Sequence, residues 1–368
     1  MNRILITGNM GYVGPGVVAR LRQQFPKAEL IGYDLGYFAH SLTGAGRLPE
    51  TLLDRQIFGD VRQFPDALLQ NLDAIVHLSA ISNDPMGQTY EAVTLEVNHA
   101  AGIRLAQQAK AAGVRSFVFA SSCSIYGAGG EGAKTETSEL NPLTAYARSK
   151  VLSEQDLQPL ADDTFSVTCL RFATACGWSD RLRLDLVVND FVACAVASGT
   201  ITILSDGSPW RPLIHVQDMA RAIEWALKRE ASNGGTFLAI NVGSESWNYQ
   251  VRDLAEAVAE AIPGTKVSLN AAAPPDKRSY LVDFSLFRQL APDHQPQRTL
   301  ADTLVELRDG LNGINFRDAE FRSSELMRLR VISRLRETGQ LTDSLTWATA
   351  LPHTQDYFAT SALQAATV

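Results

Sequence analysis

Through the first half of the chain, short apolar runs alternate with longer stretches whose apolar residues recur near helical spacing. The runs are Arg3-Ile4-Leu5-Ile6, Glu29 to Tyr33, Gln56 to Val61, Ala74 to Leu78, Ser116 to Ala120 and Phe165 to Arg171. The first of them is apolar at successive positions, as a strand buried on both faces is. The stretches between them predict helices over Tyr12 to Phe25, about Phe64 to Leu72, Tyr90 to Ala112 and Leu143 to Leu160. Gly113 stands where a helix end favours glycine, and Asn141-Pro142 opens the last helix. This alternation over residues 1–177 predicts an α/β fold built on a doubly wound parallel sheet. Right-handed crossovers then place every strand C-terminus along one edge.

Beyond Gly177 the alternation weakens, and Pro209, Pro212, Pro263, Pro274 and Pro275 punctuate shorter elements. The expected organisation is a smaller lobe from residues 178–212 and 246–316. A segment of about 213–245 returns to the sheet through the strand-like Phe237 to Val242. Leu326, Leu329, Ile332 and Leu335 recur at three-residue spacing among arginines, which predicts an amphipathic helix in a C-terminal extension, 317–368. The last twenty residues, rich in Ala and Thr, are expected to be poorly ordered. Asp34 to Arg55 is long for a strand–helix connection, which suggests a functional loop.

Composition narrows the classes. Of 368 residues, 45% are hydrophobic and 20% charged, a globular balance. The net charge of −7 provides no global attraction for nucleic acid or anionic membrane. No apolar run is long enough to span a bilayer, and the chain starts in a core strand without a leader. Cys123, Cys169, Cys176 and Cys194 lack metal-ligand pairing, so buried free thiols, no metal and a cytoplasmic setting are expected.

The first turn, Thr7-Gly8-Asn9-Met10-Gly11-Tyr12-Val13-Gly14, joins a strand to a helix. Gly8 allows a tight turn, Gly11 a close backbone approach to phosphate, and Gly14 close helix–strand packing. The helix N-terminus offers free N–H groups to a pyrophosphate. Asp34 ends the next strand, 20 residues after Gly14 (34 − 14), where a carboxylate accepts ribose hydroxyls and repels a 2′-phosphate. A Rossmann-type site for NAD rather than NADP is therefore expected.

Tyr146 and Lys150 are four residues apart near the start of a predicted helix, so they share a face. Alone, such a pair is an ordinary solvated one. Beside the glycine turn and Ser122, at the end of a strand, it is a candidate for proton transfer. The ammonium would lower the tyrosine pKa, and Ser122 would hold the reacting oxygen.

Together with Asp60-Val61, His77-Leu78-Ser79-Ala80, Ser121 to Gly127 and Arg211 to Asp218, these motifs resemble those of the extended short-chain dehydrogenase/reductase superfamily. The resemblance is to its NAD-dependent nucleotide-sugar epimerase/dehydratase family and covers roughly Met1 to Phe316. It implies NAD held by Gly8, Met10, Gly11, Tyr12, Val13 and Gly14. Asp34, Asp60, Val61, Leu78, Ser79 and Ala80 extend that site, with Asn98, Tyr146 and Lys150. It implies Ser122, Tyr146 and Lys150 as the catalytic set. A nucleoside-diphosphate sugar would meet Asn83, Ser122, Thr174, Asn189, Arg211 and Arg278. Trp178, Arg181, Arg183, Trp210 and Lys277 are further candidates, and His215 and Asp218 look structural. A homodimer packed through the helices near 90–112 and 143–162 is also implied.

Within such a family the reaction follows from the acids and bases near the sugar. The 4,6-dehydratases carry an Asp-Glu pair where Cys123-Ser124 stand here, and neither replaces a glutamate. Decarboxylating members also carry Glu at the Ser124 position. The 3,5-epimerases place Cys there; here the thiol is one residue earlier and points elsewhere on an extended backbone. Cys123 is thus a packing residue or, as the alternative, a catalytic thiol. Epimerisation at C4 remains, with a 4-ketosugar reductase or a dehydratase as alternatives. A non-enzymatic NAD-sensing protein is the other class, but such relatives lose the Tyr or the Lys. Two departures leave nucleotide and sugar open. Ala273 stands where sugar 4-epimerases have an arginine three residues before an Asp, and Thr174 to Gly177 replaces their Asn-Pro-Val-Gly.

Overall fold

The computed structural model describes residues 1–82, 84–269 and 278–348. Its main sheet has seven strands in the order Phe237–Val242, Ser166–Phe172, Ser116–Ser122, Ala74–His77, Arg3–Thr7, Glu29–Asp34 and Arg55–Phe58. Every neighbouring pair is parallel. In chain order we call Arg3–Thr7 β1, Glu29–Asp34 β2, Arg55–Phe58 β3, Ala74–His77 β4 and Ser116–Ser122 β5.

The central runs form this sheet because their apolar residues have a core to enter on either face. In β1, Ile4 and Ile6 join one apolar cluster and Leu5 the other, all fully buried. Leu30 and Ile31 in β2 divide the same way. The chain steps from β1 to β2 and β3 on one side, then crosses to β4 and β5 on the other. The strand order therefore reverses between β1 and β4, and a crevice opens beyond their C-termini.

Helix α1, Gly14–Gln24, buries Val17, Val18 and Leu21. It starts two residues later than its periodicity suggests because Tyr12 and Val13 complete the turn. The stretch from Phe64 to Leu72 is not a helix: it holds one 3-10 turn, Asp66–Leu69, and a second, Val61–Gln63, precedes it. Pro65 lies between them, lacks an N–H and holds Phe64 extended. The stretch from Tyr90 to Ala112 becomes Glu91–Leu95, a π-helical turn Glu96–Ala100 and Ala101–Ala111. Ala145–Leu157 is the helix that carries Tyr146 and Lys150.

The rest of the chain covers the sheet edge with smaller sheets. Trp210–His215 lies between Asn248–Gln250 and Thr174–Cys176, and Ser279–Val282 pairs with Ala128–Lys134. The C-terminal extension contributes the helix Arg328–Glu337. Its Val331, Ile332 and Leu335, with Leu341 and Leu345, pack on Ile81, Met86 and Tyr90. Asn83, Ala273, Lys277 and the last twenty residues fall outside the described residues. Among the described residues, no helix is long and apolar enough to cross a membrane.

Candidate active site

The crevice between β1 and β4 continues into a cavity of about 870 Å³. Gly8, Gly11, Tyr12 and Val13 form its floor. Gly8 has φ +74°, and a Cβ there would stand 2.6 Å from the Ser79 nitrogen. A Cβ on Gly14 would come 1.9 Å from the Asn9 carbonyl oxygen, so that glycine closes the turn itself rather than spacing helix from strand. Asp34 locks the turn, accepting from the Met10 N–H at 3.0 Å and the Gly36 N–H at 2.7 Å. Burial raises its pKa, and those two hydrogen bonds oppose the rise. Each carboxylate oxygen keeps a lone pair for a ribose hydroxyl. Backbone donors at a helix N-terminus, no side-chain bulk over them and a carboxylate beyond form a donor set that fits NAD.

Further along, Asp60, Val61, Leu78, Ser79 and Ala80 line the same cavity. Asp60 is held by Arg62 through both carboxylate oxygens. Two candidate side chains turn elsewhere. The Tyr12 hydroxyl donates to the Gly177 carbonyl at 2.6 Å, which leaves only its backbone for a phosphate. Asn98, carried inward by the π-helical turn, brackets the Ile81 backbone with both amide groups and donates to Ser149. It lies behind the wall and reaches the cavity only through Ile81.

Ser122, Tyr146 and Lys150 all face this cavity. Ser122 ends β5, and its hydroxyl accepts from the Ser124 N–H at 3.2 Å. Thr144 caps the following helix by accepting from the Ala147 N–H, which fixes the first turn that carries Tyr146. The Lys150 ammonium lies 5.5 Å from the Tyr146 ring centroid and donates to the Ala120 carbonyl at 2.7 Å. Burial lowers its pKa from 10.5 to about 8. Burial also drives the Tyr146 phenol up to about 12, against a hydrogen bond with Ser122 that lowers it. This differs from the sequence expectation. The ammonium faces the ring and a carbonyl, not the phenol oxygen, so in the protein alone desolvation outweighs it.

Thr174, Arg211, Arg278 and Ser124 also line the cavity. Arg278 pairs with Asp84 at 2.6 Å, and Asp84 also accepts from Thr144 at 2.7 Å. Arg211 donates to the Arg278 carbonyl. The Ser124 hydroxyl is buried with no hydrogen-bond partner among the described residues. Asn189 does not face the cavity; its amide joins the Gly177 N–H, the Tyr12 hydroxyl and the Arg183 carbonyl. Arg181 and Arg183 are buried ion-pair members, with Glu50 at 2.8 Å and Asp185 at 2.6 Å. His215 bonds Glu306, and Asp218 accepts backbone N–H groups of Gln297 and Arg298. All four cysteines are buried free thiols. The Cys123 thiol is directed at the Arg171 carbonyl, and burial pushes its pKa far up.

A family model described as "NAD dependent epimerase/dehydratase family" matches residues 4–243. The chain belongs to that family. Among curated relatives of this family member, the UDP-glucose 4-epimerase of Neisseria meningitidis is 26% identical over 66% of this chain and 78% of its own length. The UDP-glucose 4-epimerase of Haemophilus influenzae is 28% identical over 70% of this chain and 82% of its own. Among solved structures, MoeE5 in complex with UDP-glucuronic acid and NAD superposes with a TM-score of 0.73 at 25% identity. It covers 85% of this chain and 99% of its own. The NDP-hexosamine 5,6-dehydratase TunA, at 20% identity and a TM-score of 0.73, shares the fold.

Proposed function

We propose that this chain is a nucleotide-sugar 4-epimerase that keeps NAD through turnover. The observation that carries the reading is that Tyr146, Ser122 and Lys150 line the same cavity as the glycine turn. Tyr146 takes the proton of the C4 hydroxyl, Ser122 holds that oxygen, and Lys150 balances the phenolate charge. NAD, when bound, would supply a positive charge and an acceptor for the C4 hydride that can give the same hydride back to C4. With the phenol at about 12 in the protein alone, Tyr146 becomes a base only once further positive charge is present. After the keto sugar turns its other face, Tyr146 returns the proton to O4.

The chain's acids support this outcome over dehydration. Cys123-Ser124 supplies no carboxylate, and both Asp84 oxygens are engaged by Arg278 and Thr144. The Ser124 hydroxyl is placed to bond a sugar hydroxyl. Arg211 and Arg278 are the candidates for the substrate diphosphate, with Thr174 beside them. The two-part organisation read from the sequence, a cofactor domain and a substrate lobe, follows from the same assignment. A homodimer through the helices that flank Asn98 and Tyr146 is part of the reading, and light scattering of the eluted protein tests it.

UDP-sugars incubated with the purified protein should interconvert at C4 with no net change at 340 nm. Tyr146→Phe should lower the rate by about a hundredfold or more. Stoichiometric consumption of added NADH, or a stable 4-keto-6-deoxy product, would overturn the assignment.

A further inference from the structure

The C-terminal extension lies outside the matched residues 4–243, yet it forms one wall of the cofactor cavity. Met327, Arg328, Ile332 and Leu345 all line that cavity. Its far end is fastened over the adenosine side. The Trp347 indole N–H donates to the Leu35 carbonyl at 2.7 Å, one residue past Asp34. Arg62, already paired with Asp60, donates to the Ser344 carbonyl at 2.6 Å.

Arg328 is the unusual member of this wall. It is 2% exposed, and its guanidinium stacks on the Phe38 ring at 4.3 Å. One amino group donates to the Arg181 carbonyl at 2.7 Å. The other, Nη1, is buried with no hydrogen-bond partner among the described residues. The neighbouring Arg181 and Arg183 each have a carboxylate, as described above. Burial first, and then the charge of Arg183, lowers the Arg328 pKa to about 9, so it stays a cation at neutral pH. A buried guanidinium with an unused donor is costly unless an anion meets it. It lines the same cavity as Gly11 and Tyr12 beside Phe38, Arg181 and Arg183, while Arg211 and Arg278 meet each other and Asp84.

We infer that Arg328 is a diphosphate-binding residue of the dinucleotide site, and that the extension carrying it is part of that site. Resting on the NAD reading above, this adds a charged contact from outside the matched family segment. Nη1 donates to a phosphate oxygen, and the fastened segment slows release of the whole cofactor.

The test separates anion from adenosine and cofactor from substrate. Protein freed of nucleotide is titrated by calorimetry with ADP, adenosine and UDP. Arg328→Gln should weaken ADP by about tenfold or more and leave adenosine and UDP within about twofold. Nucleotide released by acid from the purified variant should also fall well below that from the native chain. Equal weakening of ADP and adenosine would mean that Arg328 only holds the segment in place. Weakened UDP with unchanged ADP would assign the residue to the substrate. Either result overturns the inference, as does unchanged binding of all three. Should Arg328→Gln fail to fold, Arg328→Met, whose apolar stem can still lie on Phe38, takes its place with the same arms. Failure of the native chain to bind ADP or NAD sinks the NAD reading itself, which keeps the two failures distinct.

Discussion

Replacing Lys150 with methionine should make the ligand-free protein more stable while abolishing its activity. The ammonium is 3% exposed, and its pKa falls from 10.5 to about 8 because burial disfavours the charge. At about 1.4 kcal/mol per pH unit, keeping that proton costs the fold about 3 kcal/mol. Losing the hydrogen bond to the Ala120 carbonyl returns about 1 kcal/mol, so the variant should gain about 2 kcal/mol at pH 7. The sign has a pH signature. The unfolded chain holds this proton more tightly than the folded one, so the cost is full below pH 8 and is relieved as pH rises towards 10.5. Urea unfolding followed by tryptophan fluorescence, at pH 7 and pH 10, gives both numbers. The advantage of Lys150→Met should shrink at pH 10. A variant less stable than the native chain at pH 7, or an advantage equal at both pH values, would refute the argument that burial governs this lysine.

The glycine turn and the buried histidine give two further tests. Gly8→Ala should cost at least about 2 kcal/mol, because φ is +74° and the new Cβ would stand 2.6 Å from the Ser79 nitrogen; a smaller loss in urea would show that the turn relaxes freely. His77 bonds Thr7, and burial, then the nearby Lys150 charge, lowers its pKa from 6.5 to about 3. Stability from this residue is full above pH 6.5 and is lost as pH falls towards 3, with about 2 kcal/mol gone by pH 5. The loss in urea midpoint between pH 8 and pH 5 should be smaller in His77→Asn, and an equal loss in both proteins would contradict it.

The central strands were legible because burial on two faces leaves a mostly apolar run such as Ile4-Leu5-Ile6, whereas the edge strand Arg55–Phe58, exposed at both ends, carries a fainter mark. The glycine turn was legible because its geometry excludes side chains. The helix expected over Phe64 to Leu72 failed where Pro65 interrupts it, a signal present in the sequence and outweighed there by apolar spacing. Asn98 and Asn189 illustrate a deeper limit. Both have the chemistry of ligand contacts, and only packing reveals that their amides bind the cavity wall from behind. The Tyr146 pKa is similar, since the desolvation that raises it comes from residues remote in the chain. The arginine-rich extension reads in the sequence as an amphipathic helix. That Arg328 is buried against Phe38 depends on a contact across nearly the full length of the chain, which no local pattern records.

The proposed epimerisation requires a hydride to leave C4 of the sugar and return to the same carbon while Tyr146 handles the proton. A UDP-sugar bearing deuterium at C4 measures this directly. The expected result is an inverted product with deuterium still at C4 and none in water or in added NAD. Deuterium lost to solvent, found on exchanged cofactor, or retained without inversion would contradict it.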